Sequence, residues 1–186
     1  NAGKFTDSAG LSICHNVCPP DTYWITPTNS SVCVNCPSNA SSPSGSISIS
    51  NCSCNVGFSG PQGGTCTACP KGSYKHSMGP GACTPCEPGT FSSSNNSVAC
   101  TACPMGYNSL PGSDELSDCN HCDAGFTRKF PSTNCTMCEA GKYKNFSGNF
   151  DCNLCPMGST SGPGSKNVKA CFCSKGYVNS SENGLC

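Results

Sequence analysis

Large apolar side chains are scarce in this chain. Leu, Ile, Val and Phe together number 24 of 186 residues, about 13%, and there is a single Trp. That is too little to build the core of a compact α/β enzyme of this length, and a coiled coil is excluded with it. Charge is scarce as well: ten basic residues balance ten acidic ones, and only 11% of the chain is charged. Chains this poor in apolar residues are usually disordered, but those carry high net charge. Neutrality also argues against a nucleic-acid binder, which shows a basic stripe. No apolar run approaches the roughly 18 residues that a membrane helix needs.

What the chain has instead is cysteine, 21 residues of it, beside 21 Gly and 15 Pro. Such a fraction marks a disulfide scaffold, and disulfide scaffolds persist only in oxidising compartments. Seven Asn-x-Ser/Thr sequons, at Asn29, Asn39, Asn51, Asn95, Asn134, Asn145 and Asn179, agree with an extracellular or cell-surface location. N-linked glycans are therefore expected, and the 43 Ser and Thr leave O-linked ones open. Asn51 and Asn134 each precede a cysteine, where folding competes with glycan transfer. The polar start Asn1-Ala2-Gly3-Lys4 is not a signal peptide, so a mature chain or a fragment is expected.

The cysteines come in couples: Cys14/Cys18, Cys33/Cys36, Cys52/Cys54, Cys66/Cys69, Cys83/Cys86, Cys100/Cys103, Cys119/Cys122, Cys135/Cys138, Cys152/Cys155 and Cys171/Cys173. Cys186 stands alone, which reads as a chain cut inside a repeat. Three residues after the second cysteine comes Gly57, Gly72, Gly89, Gly106, Gly125, Gly141, Gly158 or Gly176, with Asp21 and Asn39 as the exceptions. Gly, Asn and Asp tolerate a left-handed backbone, so a tight turn with positive φ is predicted there in every repeat. An aromatic follows within two residues: Tyr23, Phe58, Tyr74, Phe91, Tyr107, Phe126, Tyr143 or Tyr177. One ring per unit, packed on a nearby disulfide, would be a core in miniature. The repeats after Cys36 and Cys155 lack the ring, resemble each other, and share with the repeat after Cys103 a Pro/Gly/Ser-rich turn and a 16-residue step. The expected fold is a set of small disulfide-rich repeats, mostly loops with short β-hairpins, about ten units in an elongated rod or solenoid. The alternation Ser46-Ile-Ser-Ile-Ser50 predicts a short strand. The boundaries read as a lead-in over 1–13, a first block over 14–65, short repeats over 66–151, and a second long repeat over 152–186.

Spacing limits the disulfide pairing without deciding it. In a serial scheme the bonds are Cys18–Cys33, Cys36–Cys52, Cys54–Cys66, Cys69–Cys83, Cys86–Cys100, Cys103–Cys119, Cys122–Cys135, Cys138–Cys152, Cys155–Cys171 and Cys173–Cys186. The rival joins first to first and second to second, as in Cys66–Cys83 with Cys69–Cys86. The serial scheme is preferred because it closes the last loop on Cys186, and the rival stays open.

Other chemistries find little support. Cys-x-x-Cys is a zinc spacing, but ten uninterrupted couples beside sequons favour disulfides, and no metal or other cofactor is expected. A thioredoxin-like role needs a reactive thiol in an α/β setting, which is lacking. His15, His76 and His121 lie in unrelated loop positions, so no catalytic triad is expected. Asp114-Glu115-x-x-Asp118 reads as a solvated loop before it reads as a calcium site.

Cys66-Thr-Ala-Cys69-Pro-Lys-Gly72-Ser-Tyr74 resembles the ephrin-receptor-like cysteine-rich repeat, and more loosely tumour-necrosis-factor-receptor modules. Cys52-Ser-Cys54-Asn-Val-Gly57-Phe58 looks like the EGF-like variant interspersed in arrays of protist and algal surface proteins. The resemblance implies extracellular stalks, coats or fibres, mastigoneme-type flagellar hairs included, or receptor stalks. The leading expectation is a structural glycoprotein that forms or decorates a fibre or cell-surface layer, with copies of itself or other coat proteins as partners. The alternative is a receptor or adhesin ectodomain that binds a protein ligand through one or two repeats. It predicts an exposed apolar patch, for which Tyr23-Trp24-Ile25 is the candidate. No enzymatic activity, nucleic acid or membrane segment is expected.

Overall fold

The computed structural model describes residues 17–25, 32–129 and 132–176. They fall into two compact units. One runs to Pro85 and includes Ser92–Cys100; the other comprises Cys86–Phe91 and continues from Thr101. Among the described residues the regular structure is nine two-stranded antiparallel hairpins and three short 3-10 turns.

Each hairpin is built by the same local rules. A left-handed residue ends the tight turn after the second cysteine of a couple: Asp21 and Asn39 take φ of 65° and 62°, and the glycines at the corresponding place take 74–95°. The next residues form the first strand, and the residues at the following couple form the return strand. In the first unit Thr22–Ile25 pairs with Val32–Asn35, Ala40–Ser41 with Ser53–Cys54, Phe58–Ser59 with Thr67–Ala68, and Ser73–Tyr74 with Thr84–Pro85. In the second, Thr90–Phe91 pairs with Thr101–Ala102, Tyr107–Asn108 with His121–Cys122, and Phe126–Arg128 with Cys135–Met137. Lys142–Tyr143 with Asn153–Leu154 and Ser159–Thr160 with Phe172–Cys173 complete it. Strands this short do not stand alone in water; disulfides across the loops between them hold them together.

The bonds run serially. Cys18–Cys33, Cys36–Cys52, Cys54–Cys66 and Cys69–Cys83 close loops in the first unit. Cys103–Cys119, Cys122–Cys135, Cys138–Cys152 and Cys155–Cys171 do so in the second. Cys86, Cys100 and Cys173 are disulfide-bonded as well; Cys14, Cys186 and the lead-in lie outside the described residues. Because the members of a couple enter different bonds, a couple is not a chelating pair. Sulfur is also the core: every buried apolar residue among those described is a cysteine, with Cys18, Cys54, Cys69 and Cys122 at 0% exposure.

One expectation is corrected. Ser46–Ser50 is not a strand; Ile49–Asn51 forms a 3-10 turn. The alternating pattern misleads because neither Ile47 nor Ile49 has a face to bury, at 52% and 41% exposure. Local hydrogen bonds decide instead, with Asn51 Oδ1 accepting from the Ile47 and Ser48 amides at 3.3 and 3.2 Å. Leu116–Asp118 forms the same turn, and Asp118 Oδ2 accepts from the Asp114 and Glu115 amides at 2.9 and 3.1 Å. The acidic cluster around Asp114 is thus a cap for its own backbone.

Candidate functional site

The polar groups that ordinary side chains would bury are here concentrated where one repeat meets the next. Each repeat is named below by the cysteine that opens it. Three residues beyond the left-handed turn stands Ser42, Lys75, Ser92, Ser109, Lys144 or Ser161, and all six are buried, none above 5% exposure. The carbonyl of each accepts a hydrogen bond from the left-handed residue of the preceding repeat. The donors are the amides of Asp21, Gly57, Gly72, Gly89, Gly125 and Gly141, at 2.8–3.2 Å.

Their side chains reach back as well, to the carbonyl one residue past that same turn. Ser42 Oγ donates to Thr22 O at 2.9 Å, Ser109 to Thr90 O at 2.9 Å, and Ser161 to Lys142 O at 2.8 Å. Lys75 Nζ donates to Phe58 O at 2.7 Å, and Lys144 Nζ to Phe126 O at 2.8 Å. Ser92 is the exception, turning to Ser94 O and Ser97 Oγ within its own loop.

A second left-handed residue lies farther along each of these loops and also bonds backwards. Gly45, Gly79, Asn96, Gly112, Gly148 and Gly164 donate their amides to the carbonyls of Cys18, Cys54, Cys69, Cys86, Cys122 and Cys138. Where the first buried residue is serine, the second left-handed residue is followed by serine: Ser46, Ser97, Ser113 and Ser165 each donate back to a carbonyl three residues earlier. Where it is lysine, no serine follows. The ammonium itself makes a second bond inside the loop, Lys75 to Gly79 O at 2.5 Å and Lys144 to Gly148 O. Buried polar groups are tolerable only when paired, and carbonyls of two repeats supply the acceptors. Desolvation holds both ammonium groups below the ordinary lysine range; for Lys144 the charges of Asp123 and Asp151 oppose it.

The arrangement reveals an internal correspondence. Gly57, Lys75 and Gly79 in the first unit match Gly125, Lys144 and Gly148 in the second. A Cβ on Gly57 would lie 2.2 Å from Asn96 O, and one on Gly125 would lie 2.4 Å from Gly164 O. The Cys122 repeat is therefore of the same kind as the Cys54 repeat, although its couple is spaced Cys-x-x-Cys and the Cys54 couple Cys-x-Cys. Both cysteines sit inside the return strand, Cys54 opposite Ala40 and Cys122 opposite Tyr107. Cys173 does the same, opposite Ser159, whereas the cysteines that open the Cys36, Cys69, Cys86, Cys103, Cys138 and Cys155 repeats lie one residue beyond it.

The sequence-predicted sites are scattered over these repeats. Asn39, Asn51, Asn95, Asn134 and Asn145 are all exposed; Asn29 and Asn179 lie outside the described residues. Asn51 caps its turn, Asn95 Oδ1 accepts from the Lys71 amide, and Asn134 Oδ1 accepts from the Tyr107 hydroxyl. His76 is exposed in the first unit, His121 half-buried in the second, and His15 lies outside the described residues. Among the described residues no cluster of His, Cys, Asp or Glu is set to hold a metal, and no helix is long and apolar enough to cross a membrane.

The expected patch at Tyr23-Trp24-Ile25 is mostly half-buried strand, with Ile25 37% exposed. A more exposed aromatic pair lies elsewhere. Phe146 and Phe150, at 47% and 64% exposure, meet edge to face with centroids 5.7 Å apart in the Cys138 repeat. The sequence signal was the Phe-x-x-x-Phe spacing around Gly148. Phe126 rests on the backbone of Gly106 in the preceding repeat, where a Cβ would come within 2.8 Å of its ring.

No curated protein matches the chain. A family model described as tyrosine-protein kinase ephrin type A/B receptor-like matches residues 57–97 and 125–171. These are the two segments that begin at the corresponding glycines, Gly57 and Gly125, and contain the two buried lysines. With the disulfide content they fit an extracellular location. Over these two segments, a little under half of the chain, the sequence is similar to ephrin-receptor-like cysteine-rich repeats.

Proposed function

We propose that the chain is a structural segment of an extracellular repeat array, one that forms or decorates a fibre or cell-surface layer. The observation that carries this reading is the recurrence of one interface. Six times, across both units, a left-handed residue, a buried Ser or Lys carbonyl and a backward bond to a cysteine carbonyl occur in the same relation. Interfaces that repeat one backbone geometry suit a chain whose work is to hold successive units in register. The sequons add a glycan coat, and the chemistry required is mechanical. Electron microscopy of native, unreduced material tests this: regular filaments or ordered layers are expected. Dispersed single particles at high concentration would overturn it.

The exposed Phe146–Phe150 pair favours a second reading, an adhesin or receptor ectodomain. In the corresponding loop of the first unit the residues are Ser77 and Gly81, so the aromatic pair is specific to one repeat. Under that reading, Phe146→Ala with Phe150→Ala abolishes cell-surface attachment while leaving the disulfides intact.

A further inference from the structure

We infer that Lys75 and Lys144 specify the order of the repeats: each is the residue that lets an ordinary repeat follow one of the Cys54 and Cys122 kind. The inference holds whichever extracellular role the array serves. Five of the six buried positions follow one rule of chain reach. In the Cys36, Cys103 and Cys155 repeats a serine hydroxyl spans the short gap to the preceding repeat's carbonyl. The Cys69 and Cys138 repeats follow the two shortest of the described loops, closed by Cys54–Cys66 and Cys122–Cys135 with separations of 12 and 13 residues. There, and only there among the described repeats, the position is lysine. Its long side chain bonds both the preceding repeat, at Phe58 O or Phe126 O, and the far end of its own loop, at Gly79 O or Gly148 O.

A buried ammonium is a costly filler, because the charged form loses its water. An apolar side chain would fill the volume at less cost, but it would leave the carbonyls of two repeats without their donor. Polar groups buried at an interface can serve register rather than stability. The lysine does so here by fitting one neighbour. After an ordinary repeat the short serine reaches the preceding repeat's carbonyl and a second serine farther along bonds within the loop, so the two tasks that one lysine performs are already divided between two serines.

The test is oxidative refolding of the full chain, read by non-reducing peptide mapping and by hydrogen exchange on whatever folds. Lys75→Ser and Lys144→Ser should mispair the cysteines on either side, Cys54–Cys66 with Cys69–Cys83 and Cys122–Cys135 with Cys138–Cys152 respectively. In the fraction that folds natively, the Gly57 or Gly125 amide should exchange about tenfold faster or more. The reciprocal changes Ser109→Lys and Ser161→Lys should mispair their own loops. Lys144→Met separates charge from volume and should behave like Lys144→Ser. Native pairing and unchanged exchange in Lys144→Met would show that the lysine only fills space and would overturn the inference. So would Ser109→Lys and Ser161→Lys variants that refold as the parent does, since the position would then not discriminate between neighbours.

Discussion

Gly125→Ala is the substitution whose effect can be worked most fully from the geometry, with Gly141→Ala as its partner. Both glycines occupy the turn position, with φ of 82° and 79°, so an alanine costs about 1 kcal/mol at either. At Gly141 that is nearly all, because the nearest atom to an added Cβ is the Thr160 hydroxyl at 3.6 Å, ordinary contact. At Gly125 the Cβ would lie 2.4 Å from the Gly164 carbonyl oxygen, which is backbone and cannot rotate away. The chain there must move, and two short bonds move with it: Gly125 N–H to Lys144 O at 2.9 Å, and Cys138 N–H to Gly125 O at 2.8 Å. At about 1 kcal/mol net for each bond, the total for Gly125→Ala comes to roughly 3 kcal/mol, before any strain from the displaced Gly164 loop. Asn sharpens the contrast, since Asn39 occupies this position at φ 62°: Gly141→Asn should be near neutral and Gly125→Asn as damaging as alanine. Native-state hydrogen exchange measures both, with protection lost in the Cys122, Cys138 and Cys155 repeats only for the Gly125 variants. Equal effects of the two alanine substitutions would refute the reasoning.

Further outcomes follow from the same geometry. Removing one bond by Cys69→Ser with Cys83→Ser should cost about 3 kcal/mol in the chain-entropy account of a loop this size, with exchange rising in the repeats adjoining that loop. Asn51→Ala should lose the turn cap and about 1 kcal/mol. Asn51→Asp should keep it, because Asp118 performs the same task, so a glycan effect at this sequon and a capping effect separate in these two variants. Burial holds Lys75 and Lys144 below the ordinary value of 10.5, so the unfolded chain binds their protons more tightly than the folded one. Stability against denaturant should therefore rise with pH from the lowered folded values up to about 10.5 and then level. In the natively paired fraction of Lys75→Met and Lys144→Met that rise should vanish. Glu139 is held below the usual carboxylate range by Lys129 and Lys142 on an exposed surface. Glu139→Gln should leave stability at physiological salt unchanged, since such pairs are screened.

How much of this was legible in the sequence depends on where the determining chemistry sits. The positive-φ turn was, because only Gly, Asn or Asp fills it and the exceptions Asp21 and Asn39 are of that set. Spacing limited the order of the bonds without deciding it, and the geometry makes eight of the serial bonds directly. The second left-handed residue was hidden, since Gly45, Asn96 and Gly148 vary in type and spacing and show their relation only through the carbonyl each one meets. Lys75 and Lys144 were illegible for a plainer reason. A lysine in a polar loop reads as solvated, and nothing in its neighbours announces the backbone carbonyls that another repeat supplies. The kinship of the Cys122 and Cys54 repeats was masked by couple spacing. An extra residue at Asn120 lengthens the couple without altering the register, which places Cys122 opposite Tyr107 as Cys54 is placed opposite Ala40.

The most direct measurement is peptide mapping of the native chain without reduction. A serial ladder predicts a crosslinked pair containing Cys69 and Cys83, and another containing Cys138 and Cys152. A crosslink between Cys69 and Cys86 would contradict it, and with it every contact between repeats described above.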